Sequence, residues 1–258
     1  MPRHPDETRM TIGEHLEELR RRLILGLVAV AVAFFACWFY REELLAIAKR
    51  PHATAMARLG ILGESAELKV FTYLEAFYCF FKICGIAALL LGGPVLLWQM
   101  WRFVSAGLYE KERRLVRRIF PFSVGLFAAG ALFGFYVLIP TALIYLAGIV
   151  PSSVGRSYRL TDYLTIVFFL TFALGLFFQL PLGMLVLSRV GLISAPAYRR
   201  QRKWFVLFAF VAAALATPGP DPVSQVLLAV PMVLLYELGI LLAAVAGRRP
   251  APDAPGAR

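Results

Sequence analysis

Apolar residues run through this sequence in six long blocks, at 23–40, 76–98, 119–146, 163–187, 204–217 and 223–246, separated by short charged stretches. A helix needs about 20 such residues to cross about 30 Å of hydrocarbon. The first four blocks and the sixth therefore predict membrane-spanning helices. The fifth rises only about 21 Å at 1.5 Å per residue, and a short arm of this kind is expected to thin the bilayer around it. Thr217-Pro218-Gly219-Pro220-Asp221-Pro222 cannot continue a helix, because proline lacks a donor and clashes with the preceding turn. The expected fold is an all-α integral membrane protein of six transmembrane helices, with short fifth and sixth helices forming a hairpin. Residues 1–10 read as a cytoplasmic tail, 11–247 as one six-span membrane domain, and the Pro- and Ala-rich 248–258 as a disordered cytoplasmic tail.

The stretch leading into the first block has its own pattern. Ile12, Leu16, Leu19 and Leu23 form one helical stripe. Between them, Glu17/Arg21 and Glu18/Arg22 are i,i+4 pairs in the favourable orientation. Thr11 with Glu14 three residues on reads as a capping box that starts the helix. The connection at 41–75 is long enough for a short helix and a cap over one end of the bundle.

Composition then fixes the class. Hydrophobic residues make up 60% of the 258, and charged residues only 17%, a balance that belongs in a bilayer. The formal net charge of +11 would raise nucleic acid as a partner in a soluble protein. Here the arginines sit in short runs beside the apolar blocks and write topology instead, so no nucleic acid is expected. Most of the 27 Lys and Arg precede the first block, follow the second and fourth, or lie in the tail. Both termini are therefore expected on the cytoplasmic side of a bacterial inner membrane. The first block is too long for the core of a cleavable signal and lacks a small-x-small site after it, so it is expected to remain as the first span. Cys37, Cys79 and Cys84 form no CxxC and have no histidine beside them, which reads as buried free thiols.

Candidate chemistry is sparse. The three histidines, His4, His15 and His52, lie outside the blocks, and neither Gly-x-Ser-x-Gly nor His-Glu-x-x-His occurs. No enzyme, catalytic residue, metal or cofactor is expected. Polar groups within the blocks carry more information, since each is expensive in hydrocarbon. Glu237 falls near mid-depth and reads as a carboxyl bonded within the bundle. Gln179, at similar depth, reads as a packing contact or as a group that recruits another helix. Lys82 reads as a snorkelling cation, too far along the axis for a direct bond to Glu75. Glu18 and Glu112 share one compartment by the charge count. Two carboxylates among arginines can exchange an internal ion pair for an external guanidinium, which binds a carboxylate bidentately. A second reading is a small-molecule or ion transporter built on Glu237 and Lys82. The absence of a repeat between the chain's two halves counts against it.

At these residues the sequence resembles the TatC family, the multispanning subunit of the twin-arginine protein translocase. His15-Leu16-x-Glu18-Leu19-Arg20-x-Arg22-Leu23 looks like its N-terminal signature. Gly93-Pro94, Gln99-x-Trp101-x-Phe103 and Leu108-Tyr109-x-x-Glu112-Arg113-Arg114 follow in order. Phe178-Gln179-Leu180-Pro181, Thr217-Pro218-x-Pro220-Asp221-x-x-Ser224-Gln225 and Pro231-Met232-x-x-Leu235-x-Glu237 complete the set. The resemblance implies a receptor and scaffold that moves folded proteins across the membrane on the protonmotive force. It implies TatA-like and TatB-like single-span partners, self-association within the complex, and signal peptides bearing paired arginines. Glu18 and Glu112 match the acceptors of those arginines. Arg20, Pro94 and Phe103 match further signal-recognition positions, and Pro51 matches a proline of the outer loop. Trp204 and Thr217 lie on the fifth span, where TatB docks. Gln179 stands where many members carry a Glu implicated in contact with the TatA-type helix, and Gln225 matches a polar position sharing that role.

Overall fold

Prolines decide where the long apolar blocks break, and glycines decide how closely they pack. The computed structural model describes residues 12–108, 110–151, 153–216 and 222–246. The Thr11 cap, both tails and the Thr217–Asp221 turn lie outside the described residues. Helix α1 (Ile12–Phe39) joins the charged lead-in and the first apolar block in one element. Two short helices follow, α2 (Arg41–Ala48) and α3 (Arg50–Arg58), then α4 (Tyr73–Ala106) runs 34 residues. Helix α5 (Glu110–Phe133) passes through a π-helical turn at Gly134–Leu138 into α6 (Ile139–Ile149). Pro140 sits at the start of α6 and deprives the preceding turn of one donor, the kind of defect that accompanies a π-bulge. Helix α7 (Leu160–Phe177) stops at Phe178–Gln179, and α8 (Leu180–Val190) restarts with Pro181 in its first turn. Short α9 (Ala195–Arg200), then α10 (Arg202–Ala216) and α11 (Pro222–Ala246), complete the chain.

Among the described residues, five segments are long and apolar enough to cross a membrane: α1, α4, α5–α6, α7–α8 and α11. Helix α10 has 15 residues and rises only about 22 Å, as its sequence block predicts. The expectation of a short sixth helix is corrected. Helix α11 has 25 residues, because Pro222 serves as its first residue and Pro231 is carried inside it without ending it.

The segment at 41–72 caps one end. Strand β1 (Leu68–Lys69) pairs in parallel with β2 (Tyr158–Arg159). The Tyr163 hydroxyl donates to the Ala48 carbonyl at 2.5 Å. His52 is buried, its Nε2 2.9 Å from the Ala66 carbonyl and its ring edge-on to Tyr158 and Tyr163.

Between the long helices, contact is made by removing side chains. A Cβ on Gly26 would meet Leu96 Cδ2 at 2.7 Å, and one on Gly92 would stand 3.3 Å from the Val30 Cα, so α1 lies directly on α4. Phe127 fits between Gly93 and Gly175, where a Cβ would come within 2.6 and 2.8 Å of its ring. Gly130 on α5 and Gly134 one turn on, at the start of the π-helical turn, bring this segment against α7 in the manner of a small-xxx-small membrane interface.

Two outcomes follow. A Cβ at Gly130 would meet the Leu174 carbonyl and the Phe178 ring at 2.7 Å, whereas one at Gly125 meets nothing within 4 Å. Gly130→Ala should cost about 1–3 kcal/mol by forcing α5 from α7, and Gly125→Ala should be neutral or stabilising, as read by thermal unfolding in detergent. His52 has a pKa lowered from 6.5, chiefly by burial. The unfolded cap therefore binds protons before the folded one does, and stability is full above 6.5 and falls as pH drops toward the lowered value. Protection factors across α3 and β1, with the intrinsic pH dependence of exchange divided out, should fall as pH drops through the ordinary histidine range, and His52→Gln should remove that fall.

Candidate functional site

The end of the bundle opposite the cap is built on the face of α1 that carries His15, Glu18, Arg22 and Gly26. Their spacing places them on one side, turned toward α4. The Leu16, Leu19 and Leu23 stripe faces outward and is exposed. Arg22 Nε donates to Glu18 Oε1 at 2.7 Å, and Nη2 reaches the same oxygen at 2.5 Å. The two side chains are only 12% and 17% exposed, so the pair is partly desolvated and stronger than a surface ion pair. Arg22 Nη1 also donates to Gln99 Oε1 on α4, at 3.2 Å. One turn further along α4, Phe103 stacks on His15 with centroids 4.4 Å apart and planes at 22°. The predicted Glu18/Arg22 pair is thus formed, held by two residues the sequence reading left without a role, Gln99 and His15. The signal that could have found them is the spacing His15, Glu18, Arg22, which runs beside the apolar stripe.

The remaining residues expected here are arranged around that pair. Arg20 points away, exposed, with Nη1 3.9 Å from Glu17. Glu17 therefore pairs with Arg20, where the sequence pattern predicts Arg21. Pro94 is half-buried inside α4, beside Gly93. Arg113 donates from Nε to the Leu108 carbonyl at 3.1 Å and from Nη2 to the Ala106 carbonyl at 3.4 Å. It thereby satisfies the carbonyls at the end of α4 and fixes the turn into α5. The backbone of Glu112 lies in the first turn of α5, at the same end of the bundle as Glu18, and its side chain lies outside the described residues.

A buried polar knot sits where α7 breaks. Trp101 Nε1 donates to Ser123 Oγ at 2.8 Å, Ser123 Oγ donates to Gln179 Oε1, and Gln179 Nε2 donates to the Ser123 carbonyl at 3.0 Å. Gln179 is buried, and both ends of its amide are used within the chain. Gln225 Nε2 donates to the Phe210 carbonyl at 2.8 Å, tying α11 to α10. Trp204 is 60% exposed on α10, with Lys203 Nζ 5.7 Å over its ring. Thr217 lies outside the described residues.

Two expectations about intramembrane charge are corrected in detail. Glu237 bonds within the chain but not in the bundle's interior, as an exposed ion pair with Arg202 at 2.6 Å. Arg202 opens α10, so the long guanidinium stem reaches along α11 to a carboxylate that the residue count puts near mid-depth. Lys82 does not snorkel freely. Its Nζ donates to Thr165 Oγ1 at 2.6 Å and to the Thr161 carbonyl at 3.1 Å, joining α4 to α7. Glu75 pairs instead with Arg159 at 3.4 Å and accepts from the Phe71 amide at 2.9 Å. Among the described residues there is no group of three or more His, Cys, Asp or Glu fit for a metal.

Comparison with known proteins bears on this arrangement. The sequence profile described as "Sec-independent protein translocase protein (TatC)" matches residues 14–231. The Sec-independent protein translocase protein TatC of Desulforapulum autotrophicum is 34% identical over 249 residues, covering 96% of this chain and 89% of that protein. The chloroplastic TATC of Arabidopsis thaliana is 36% identical over 95% of this chain and 69% of its own length. A crystal structure described as the twin arginine translocase receptor TatC superposes with a TM-score of 0.80 at 31% identity, covering 90% of this chain and 99% of that one.

The knot yields a stability test. Ser123→Ala leaves the Trp101 indole N–H and the Gln179 amide oxygen without the hydroxyl they share, and stability should fall by about 1–3 kcal/mol. Ser105→Ala, which removes one local bond from a half-buried hydroxyl to the Arg102 carbonyl, should stay within about 0.5 kcal/mol. Urea titration in detergent, followed by tryptophan fluorescence, compares the two.

Proposed function

Since the chain belongs to the TatC family of Sec-independent protein translocase proteins, a non-enzymatic component of protein export in the membrane, we propose that it is the receptor and core scaffold of a twin-arginine translocase. It binds Arg-Arg signal peptides of folded cargo at the end of the bundle formed by α1, α4 and the start of α5. The observation that carries this reading is the half-buried Glu18–Arg22 pair, held by Gln99. An incoming guanidinium can take the carboxylate from Arg22 so that Glu18 is never left unpaired, the costly alternative, and Gln99 remains as an acceptor for the displaced Arg22. Glu112, at the same end of the bundle, supplies the second acceptor. Phe103 stacked on His15 offers an aromatic surface beside the pair, Pro94 lies inside α4, and Arg20, exposed and loosely paired with Glu17, can turn to the carboxylates and carbonyls of the peptide.

The same reading makes α10 and α11 the fifth and sixth crossings, with both termini cytoplasmic in a bacterial inner membrane. TatA-like and TatB-like single-span helices, and further copies of this chain, assemble on it. The outward face of α10 beyond Trp204 is the docking surface for one such helix and the face of α11 around Gln225 for the second, while Gln179 is buried with both ends of its amide bonded within the chain. The transporter alternative has no support from the family. Its two charges are engaged in separate local bonds, Glu237 with Arg202 and Lys82 with Thr161 and Thr165.

Titrating a fluorescent Arg-Arg signal peptide onto the purified chain tests the assignment. Glu18→Ala and Glu112→Ala should each weaken binding about tenfold to a hundredfold, as loss of one charge-assisted pair implies, and the double variant should bind no better than a Lys-Lys peptide binds wild type. Undiminished affinity in the double variant would sink the site.

A further inference from the structure

We propose that the groove between the α8–α9 turn and the start of α10 is a binding site for an anionic glycerophospholipid, independent of the signal-peptide site. The cavity measures about 990 Å³, at the upper end of the range of about 300–1,000 Å³ typical of small-molecule sites. Its floor is aromatic. Phe205 stacks on Tyr236 with centroids 4.0 Å apart and planes at 7°, and Tyr236 donates to the Tyr198 carbonyl at 2.8 Å. Trp204, Phe208 and Leu192 form its open side and are 60%, 53% and 69% exposed, so an acyl chain can enter sideways from the bilayer. Ser188, Ser194 and Gln201 supply polar groups among the lining residues.

Charge selects the headgroup. Arg189, Arg199, Arg200, Arg202 and Lys203 crowd the segment that frames the groove, and no Asp or Glu occurs between Ser188 and Ala216. Arg202 is committed to Glu237. Arg189, Arg199, Arg200 and Lys203 are exposed and stand where a tryptophan and a lysine on one helix turn mark a membrane interface. The cavity lining itself holds no Arg or Lys, so the phosphate sits at the rim among these exposed cations while its chain lies on Phe205 and Tyr236. The arginines of a signal peptide are repelled from the same place, and an uncharged helix would leave the cations without counterions.

Brominated lipid chains quench tryptophan at contact, so Trp204 reports on the groove. The purified chain is placed in phosphatidylcholine vesicles with increasing brominated phosphatidylglycerol, or with brominated phosphatidylcholine, and the Trp204→Phe variant is subtracted. Brominated phosphatidylglycerol should quench the Trp204 signal half-maximally at a mole fraction at least about tenfold lower than brominated phosphatidylcholine, given the attraction of several basic residues for anionic lipid. Arg199→Gln, Arg200→Gln and Lys203→Gln together should abolish the difference, and Ala197→Phe, which fills the groove, should do the same. Equal quenching by both lipids in wild type overturns the proposal, as does a preference that survives either variant. So does a Trp204 that neither brominated chain reaches because a helix of a second copy occupies the groove.

Discussion

A helix bundle in hydrocarbon gains nothing by hiding leucine from its surroundings, so it must be held by close backbone approach and by polar groups bonded inward. Helix α1 displays that constraint along its whole length. Its leucines at 16, 19 and 23 are exposed, while His15, Glu18 and Arg22 turn toward α4 and Gly26 admits Leu96. The same rule places Lys82 against the Thr161 carbonyl, Gln179 against Ser123, and Phe127 in the space left by Gly93 and Gly175. Each polar bond or glycine contact joins two helices that apolar burial alone would leave free to slide.

This economy bears on how the proposed site works. The Glu18 carboxylate is already bonded at rest, so an arriving arginine exchanges one guanidinium for another, and the worth of that bond to the peptide is realised only through the contacts the displaced Arg22 makes in turn. Net affinity must come from contacts Arg22 makes once displaced, from the second carboxylate, and from the rest of the peptide. Discrimination does come from the exchange. Two nitrogens of Arg22 converge on Glu18 Oε1 and a third reaches Gln99. A lysine has one nitrogen at the end of a flexible stem and cannot span these acceptors in the same way.

Much of this was legible in the sequence. The five long helices, the short α10, the cap at 41–72 and the Glu18/Arg22 pair follow from block length, proline position and i,i+4 spacing. Hidden were features that depend on which neighbour lies opposite. Gly130 and Gly134 form a spacing visible in the sequence, but only the presence of the Leu174 carbonyl shows that α7 is what they admit. Lys82 reads as snorkelling because its partners lie about eighty residues on, at Thr161 and Thr165. Arg202 is written in a basic run that topology alone explains, and only the packing of α10 on α11 brings it to Glu237. His15 and Gln99 went unassigned because a charged stretch beside an apolar stripe is ordinarily read as the solvent face, and in a membrane protein the inside and outside of that helix are exchanged.

The amide at position 179 has a sharper consequence. Gln179 accepts from the Ser123 hydroxyl and donates to the Ser123 carbonyl, filling both roles of a neutral amide. An ionised carboxylate there could accept but not donate, and it would face the Ser123 carbonyl with like polarity. A protonated carboxyl would reproduce both bonds. The glutamate that resemblance to the family places here in other members therefore fits this knot in its neutral form, and glutamine is its closest permanently uncharged equivalent. For this chain, a partner helix that uses position 179 must compete with Ser123 for the amide, so recognition of that helix falls chiefly to the outward faces of α10 and α11, whose apolar side chains carry no prior bond.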